Sequence, residues 1–273
     1  MSPTPISAFF AASSIAVGSV ISTPISPVFH SDYVLMTSEA MIIDPVVNQQ
    51  WNDDATSLYL DSLGFNGTAT TLSIPEVISG DTLGQALSVG VQDLVNAVET
   101  QYNAGALDAA DPLYIFGYSQ SAVEASLAEQ QLADYGIPSA DLHFVLVGDS
   151  ASADGGFLNT FVESLPPWLQ QFVVPILANP GWGDVWGAVT PDNLYPTDVY
   201  TLSGDGWANW DGGANLLGMF TTHLEYLGLT PADVSSATLS LVDNLTNYFT
   251  INSADINSFS ALWDSFMMAI SVF

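Results

Sequence analysis

At 273 residues, 48% of them hydrophobic and 11% aromatic, the chain is long and apolar enough for one large α/β domain or two small ones, and composition excludes disorder. It holds 29 acidic residues, three His, no Cys and neither Lys nor Arg, for a formal charge of −29. Nucleic-acid binding, which replaces phosphate counterions with cationic side chains, is excluded; disulfides, thiol catalysis and Cys-metal sites are excluded too, and tight phosphate sites are disfavoured.

Surface ion pairs contribute almost nothing to such a fold, and self-repulsion predicts greater stability in salt than in dilute buffer. His30, His143 and His223 are far apart and lack H-E-x-x-H spacing, so no metal and no cofactor is predicted. Residues 1–25 form an apolar segment that reads equally as a signal- or anchor-like stretch without its basic n-region and as a docked helix. Residues 26–273 are predicted as a single domain. Within it, VFHSDYVLMTS (28–38) reads as the first strand, and NQQWNDDATSLYLDSLG (48–64) has helical spacing closed by Gly64. ATTLSIP is a short strand. Leu83, Leu87, Val91, Leu94, Val95 and Val98 share one face of a helix predicted over 79–105.

PLYIFGYS is a buried strand and SAVEASLAEQQLADYG the helix after it; DLHFVLVGDS (141–150) and DVYTLSGDG (198–206) are further strands. Strands alternating with helices of this length predict βαβ units and a parallel sheet covered on both faces. Residues 157–196 differ in texture, being dense in Pro, Trp and Phe and poor in charge. A cap over an apolar pocket suits them, with Tyr118, Trp168, Phe172, Trp182 and Trp186 as substrate-contacting candidates. In the tail, Thr230 and Asp233 are spaced as a helix N-cap, and helix-like segments with Trp263 and two Met follow.

The chemistry centres on Gly117-Tyr118-Ser119-Gln120-Ser121, which is G-x-S-x-S between a strand and a helix. A serine hydroxyl needs a base to take its proton and donors to stabilise the oxyanion, and a turn of this kind lifts the serine to where both can reach it. The N–H of Gln120 is the first expected oxyanion donor; the second is expected from the loop after the first strand, around Thr37 and Ser38. A triad on such a sheet runs Ser, acid, His. His143 lies inside a strand and reads as a core or edge histidine; His223 follows the last strand signal and reads as the base. Asp149 and Asp205 both follow a strand and a Gly, so pattern alone does not separate them, although Asp205 is only 18 residues before His223; Asp211 is a weaker third.

FGYSQSAVEASL, LHFVLVGD, the GG at 155–156, YPTDVYTLSGDGWANW and LLGMFTTHLEYLGLTPADV together resemble the PE-PPE domain of mycobacterial cell-envelope proteins over roughly residues 28 to 250. The resemblance implies a cutinase-like serine α/β-hydrolase with a mostly parallel sheet. It assigns Ser119 as nucleophile, Asp205 as acid and His223 as base. The implied activity is esterase or lipase action on fatty-acyl esters, or acyl transfer to a sugar or glycolipid hydroxyl, in a secreted or envelope-associated protein that contacts lipid. Where the family carries a glycine-rich loop after its first strand, this chain reads MTSEAMIIDP. A catalytically silent envelope interaction module is the non-enzymatic alternative, and fluorophosphonate labelling separates the two.

Overall fold

A run of consecutive apolar residues without alternation is the mark of a strand buried on both faces, and Ala40–Ile43 is such a run. Glu39–Asp44 is the first strand, β1, of the computed structural model, which describes residues 39–44, 49–74, 82–177 and 185–270. The stretch read as a loop after the first strand is therefore mostly strand. Ala40, Met41 and Ile42 pair in parallel with Tyr114, Ile115 and Phe116. The expected strand over 28–38 and the apolar segment 1–25 lie outside the described residues.

Helix α1 (Gln49–Ala55) runs on through a π-helical turn, Thr56–Leu60, and a 3-10 turn, Asp61–Leu63, to Gly64, so the predicted single helix is one continuous but irregular coil. Strand β2 (Thr68–Ser73) follows, then α2 (Leu83–Asn103). A capping box opens α2: the Thr82 hydroxyl accepts from the Gln85 N–H while the Gln85 side chain accepts from the Thr82 N–H. The predicted apolar stripe of α2 is buried from Leu87 to Val98, with Leu83 partly exposed. Next come β3 (Leu113–Tyr118), α3 (Gln120–Tyr135), β4 (Leu142–Val147), α4 (Phe157–Ser164), α5 (Pro167–Leu177) and β5 (Thr197–Leu202). The chain closes with α6 (Pro231–Ser235), β6 (Thr238–Asp243), β7 (Thr246–Ile251) and α7 (Ser258–Ile270).

The strand order is β2-β1-β3-β4-β5-β7-β6, with only β6 antiparallel to its neighbour. Side chains alternate between two apolar layers, as the pleat requires. Ile42, Phe116, Val145 and Tyr200 face a layer with Trp51, Tyr59 and Tyr226. Met41, Ile115, Phe144 and Val199 face the layer closed by α2 and α3. This is a mostly parallel sheet flanked by helices, the α/β-hydrolase architecture.

The tail keeps its expected terminal helix, α7 with Trp263 and two Met, but departs from the helical reading before it. Thr230 does cap α6, with Asp233 returning the bond, but the helix is only five residues long. A hairpin then adds β7 to the sheet interior beside β5 and leaves β6 at the edge. Thr, Tyr, Phe and Ile crowd β7, and Asn244 turns the chain with a positive φ of 46°. These are strand and turn signals that the helix N-cap pattern obscured. Because β1, β3, β4 and β5 are parallel, their last residues, Asp44, Tyr118, Val147 and Leu202, all lie along one edge of the sheet. That edge is where an open α/β sheet collects its functional loops.

Candidate active site

Ser119 occupies the single residue between β3 and α3, at φ 57° and ψ −116°. A positive φ costs a residue with a Cβ on the order of 1 kcal/mol or more and persists only where the surroundings impose it. Three contacts impose it here. The Ser119 N–H donates to the Val147 carbonyl at the end of β4 (2.9 Å). Gly117 lets α3 begin directly against the strand, since a Cβ there would meet the Ser121 carbonyl oxygen at 2.5 Å. Ser121, where the commoner motif has Gly, ties the turn: its Oγ accepts from the Tyr118 N–H and donates to the Tyr118 carbonyl, both at 2.9 Å. The fifth position is thus more than a small residue. Ser121→Ala removes both bonds from a site only 4% exposed, so we expect it to cost about 1–3 kcal/mol, read as a lower Tm.

His223 lies in a 3-10 segment, Thr222–Gly228, after β5. Its Nε2 is 2.7 Å from Ser119 Oγ and its Nδ1 is 2.8 Å from Asp205 Oδ2. The ring stacks on Tyr118 at 5.5 Å, and the Tyr118 hydroxyl donates to the His223 carbonyl. Gly148, at φ 62°, keeps the other approach open: a Cβ there would lie 3.3 Å from His223 Cε1 and 3.0 Å from the Tyr226 ring.

Asp205 is fully buried. Its Oδ1 accepts from the Trp207 N–H (2.8 Å), and its Oδ2 accepts from the Tyr226 hydroxyl (3.0 Å) besides meeting His223. Burial of this kind is tolerated where every lone pair finds a donor. Asp149, the rival acid, is equally buried but faces elsewhere. It accepts from the Ala151 N–H and from the hydroxyls of Ser126 and Thr190, and burial pushes its pKa up. Asp211 is exposed and accepts from the Asn215 N–H. His143 bonds Asp198 at 2.9 Å and stacks on Tyr114, remote in the sheet from the β3 end that carries Ser119.

Gln120 opens α3, so its N–H lies in the first turn, at the positive end of the helix dipole. Thr37 and Ser38 lie outside the described residues. β1 runs from Glu39 to Asp44, and its Asp44 end lies on the Ser119 edge of the sheet.

A cavity of about 260 Å³ opens beside Ser119 and His223. Its walls include Leu83 and Leu87 of α2, Val123 of α3, Leu158 of α4, Val185 and Trp207. Among the described residues, Tyr118, Trp168, Phe172 and Trp186 are not part of its lining. Tyr118 packs on His223 instead. Trp168 and Phe172 are 65% and 59% exposed on α5. Trp186 joins a cluster with Phe157 and Phe161 at 5.6 and 5.9 Å, which stands behind Trp207, and Trp182 lies outside the described residues. The wall contributed by α2 was visible in the sequence as Leu83 and Leu87, one turn apart, but a stripe of that kind reads as ordinary core.

The PE-PPE domain family model matches residues 67–256. The chain is 27% identical over 231 residues to the uncharacterized PPE family protein PPE28 of Mycobacterium tuberculosis, covering 78% of this chain and 32% of that protein. It is 31% identical over 191 residues to esterase PE16 of the same organism, covering 64% of this chain and 33% of that one. The chain therefore spans about a third of the length of these relatives. Among solved structures, a putative carboxylesterase from Lactobacillus plantarum is similar at 10% identity, with 90% of this chain and 88% of that one covered and a TM-score of 0.44. A cutinase-like protein from Cryptococcus sp. is similar at 15% identity, with 70% and 95% covered and a TM-score of 0.34. The family match takes in Ser119, Asp205 and His223 together with most of the sheet, and the chain belongs to the PE-PPE domain family.

Proposed function

We propose that this chain is a serine hydrolase of the esterase type that cleaves fatty-acyl esters, with Ser119 as nucleophile, His223 as base and Asp205 as the acid that orients it. The observation that carries this reading is the hydrogen-bonded series Ser119 Oγ, His223 Nε2, His223 Nδ1, Asp205 Oδ2, with steps of 2.7 and 2.8 Å across the ring. His223 Nε2 takes the Ser119 proton as Oγ bonds the ester carbonyl carbon, and the oxyanion forms near the Gln120 N–H. The tetrahedral intermediate expels the alcohol, which leaves with the proton held on His223. Water then gives a proton to His223 and attacks the acyl-enzyme, releasing the acid and free Ser119. An alcohol such as a sugar hydroxyl performs the same second half as an acyl transfer; short- and long-chain p-nitrophenyl esters, with and without acceptor sugar, distinguish the two outcomes.

The apolar walls support an acyl chain as the group bound. Leu158 and Val185 both come from the 157–196 insertion, which supports its role as a cap. Leu217 and Phe220, 79% and 68% exposed just before His223, support contact with lipid, and the secreted or envelope-side setting belongs to the same proposal. Among the described residues no helix is long and apolar enough to cross a membrane. A fluorophosphonate probe at neutral pH is expected to label the wild-type chain and not Ser119→Ala. Equal labelling of the two, or none of the wild type, refutes the enzymatic reading in favour of a silent interaction module.

A further inference from the structure

We propose that Tyr226 is a positioning residue of this site, acting on His223 through the Asp205 carboxylate; the inference rests on the serine-hydrolase reading above. The phenol has one proton to give. The Leu202 N–H, at the end of β5, points at Tyr226 Oη from 2.7 Å and is itself a donor, so Oη accepts there. Its own proton therefore goes to the remaining partner, Asp205 Oδ2 at 3.0 Å. That oxygen is the one that meets His223 Nδ1. The backbone of β5 thus orients a side-chain hydroxyl, and the hydroxyl aims the carboxylate.

The need for such a device follows from composition. A buried carboxylate is usually stabilised by a cationic side chain or by several donors. This chain has no Lys and no Arg, and Asp205 is fully buried. Its charge is met only by dipolar donors among the described residues, the Trp207 N–H and the Tyr226 hydroxyl, and by His223. Tyr226 is itself fully buried, packed on Tyr118 at 5.8 Å and edge-on to His223 at 6.1 Å. Burial and the neighbouring Asp205 push its pKa far up, so the phenol keeps its proton throughout the working range. Among the described residues, Tyr118 from β3 and Tyr59 from the π-helical turn, both phenols, also face Tyr226.

Taking the hydroxyl away leaves the Oδ2 charge concentrated on His223. A less dispersed negative charge favours the protonated imidazole, so the acid limb of the activity profile moves to higher pH. For Tyr226→Phe we expect kcat/KM to fall about tenfold and the acid limb to rise by about half a pH unit. 3-Fluorotyrosine placed at 226, a stronger donor of the same shape, moves the limb the other way; it keeps the test alive if the Phe variant does not fold. Tyr195→Phe is the control, because its hydroxyl donates to the Ile137 carbonyl in the opposite layer. It is expected to lower Tm and leave the limb in place. The inference is overturned if Tyr226→Phe or the fluorotyrosine protein loses stability with an unmoved limb, or if Tyr195→Phe moves it equally. Activity that survives Ser119→Ala would instead refute the hydrolase reading itself.

Discussion

Asp205→Asn is expected to lower kcat on a p-nitrophenyl ester by about 10⁴-fold, the scale seen when the orienting carboxylate of a serine triad becomes an amide. The physical reason lies in hydrogen-bond polarity. His223 must carry its proton on Nδ1 so that Nε2 is free to take one from Ser119, and a carboxylate at 2.8 Å enforces that tautomer. An Asn presents an amide in place of one oxygen and permits the reverse tautomer, with Nε2 protonated and useless as a base. Asp149→Asn is expected to change kcat by less than about tenfold, since that carboxylate binds Ser126, Thr190 and the Ala151 N–H and does not touch His223. The reverse order of effects would transfer the acid role to Asp149. Circular dichroism and Tm on both variants separate lost chemistry from lost fold.

Stability is expected to increase on acidification from pH 7 toward about pH 5, opposite to the usual behaviour of proteins whose carboxylates are salt-bridged. Glu129 and Asp149 are both fully buried, and burial pushes both carboxyls above their ordinary values; the Asp149 charge raises Glu129 further. Burial raises Glu225 and Asp54 as well, with the adjacent Asp53 adding to the latter. A carboxyl raised in the folded state holds its proton there while the unfolded chain has released it. The stability it contributes is fully present below the unfolded value, near pH 4, and is lost as pH rises through the folded value. Protonation also lowers the self-repulsion of a chain with 29 acids and no Lys or Arg. We expect Tm to rise by several degrees between pH 7 and 5, with added salt at pH 7 giving part of the same gain. Glu129→Gln should raise Tm at pH 7 and flatten the pH dependence. A Tm that falls monotonically below pH 7 would contradict this account.

Residues close in sequence made several features readable in advance. The strand–turn–helix around Ser119 is local, and so is the capped, striped helix α2. His223 was reachable by elimination, because one alternative histidine sat inside a strand. Strand β1 was not singled out because its apolar run carries no alternation and follows directly on Thr37 and Ser38, small polar residues that read as the end of a strand. The β6–β7 hairpin was missed because the capping pattern at Thr230 is real and drew attention from the strand and turn residues that follow it.

The choice between Asp149 and Asp205 shows the boundary most clearly. Both follow a strand and a glycine, and both use Oδ1 to accept the N–H two residues on, from Ala151 and from Trp207. The two turns share this local pattern. They differ at Oδ2, which in Asp149 meets Ser126 of α3 and Thr190, and in Asp205 meets Tyr226 and His223. The sequence by itself determined the serine, its turn, the candidate base, and a charge balance that leaves buried acids only dipolar donors and histidine. Which acid reaches that base, and which helix walls the cavity, depended on strands and helices far apart in the chain being packed side by side. Their contacts are set by the burial of both faces of one sheet, a condition no short stretch of sequence contains.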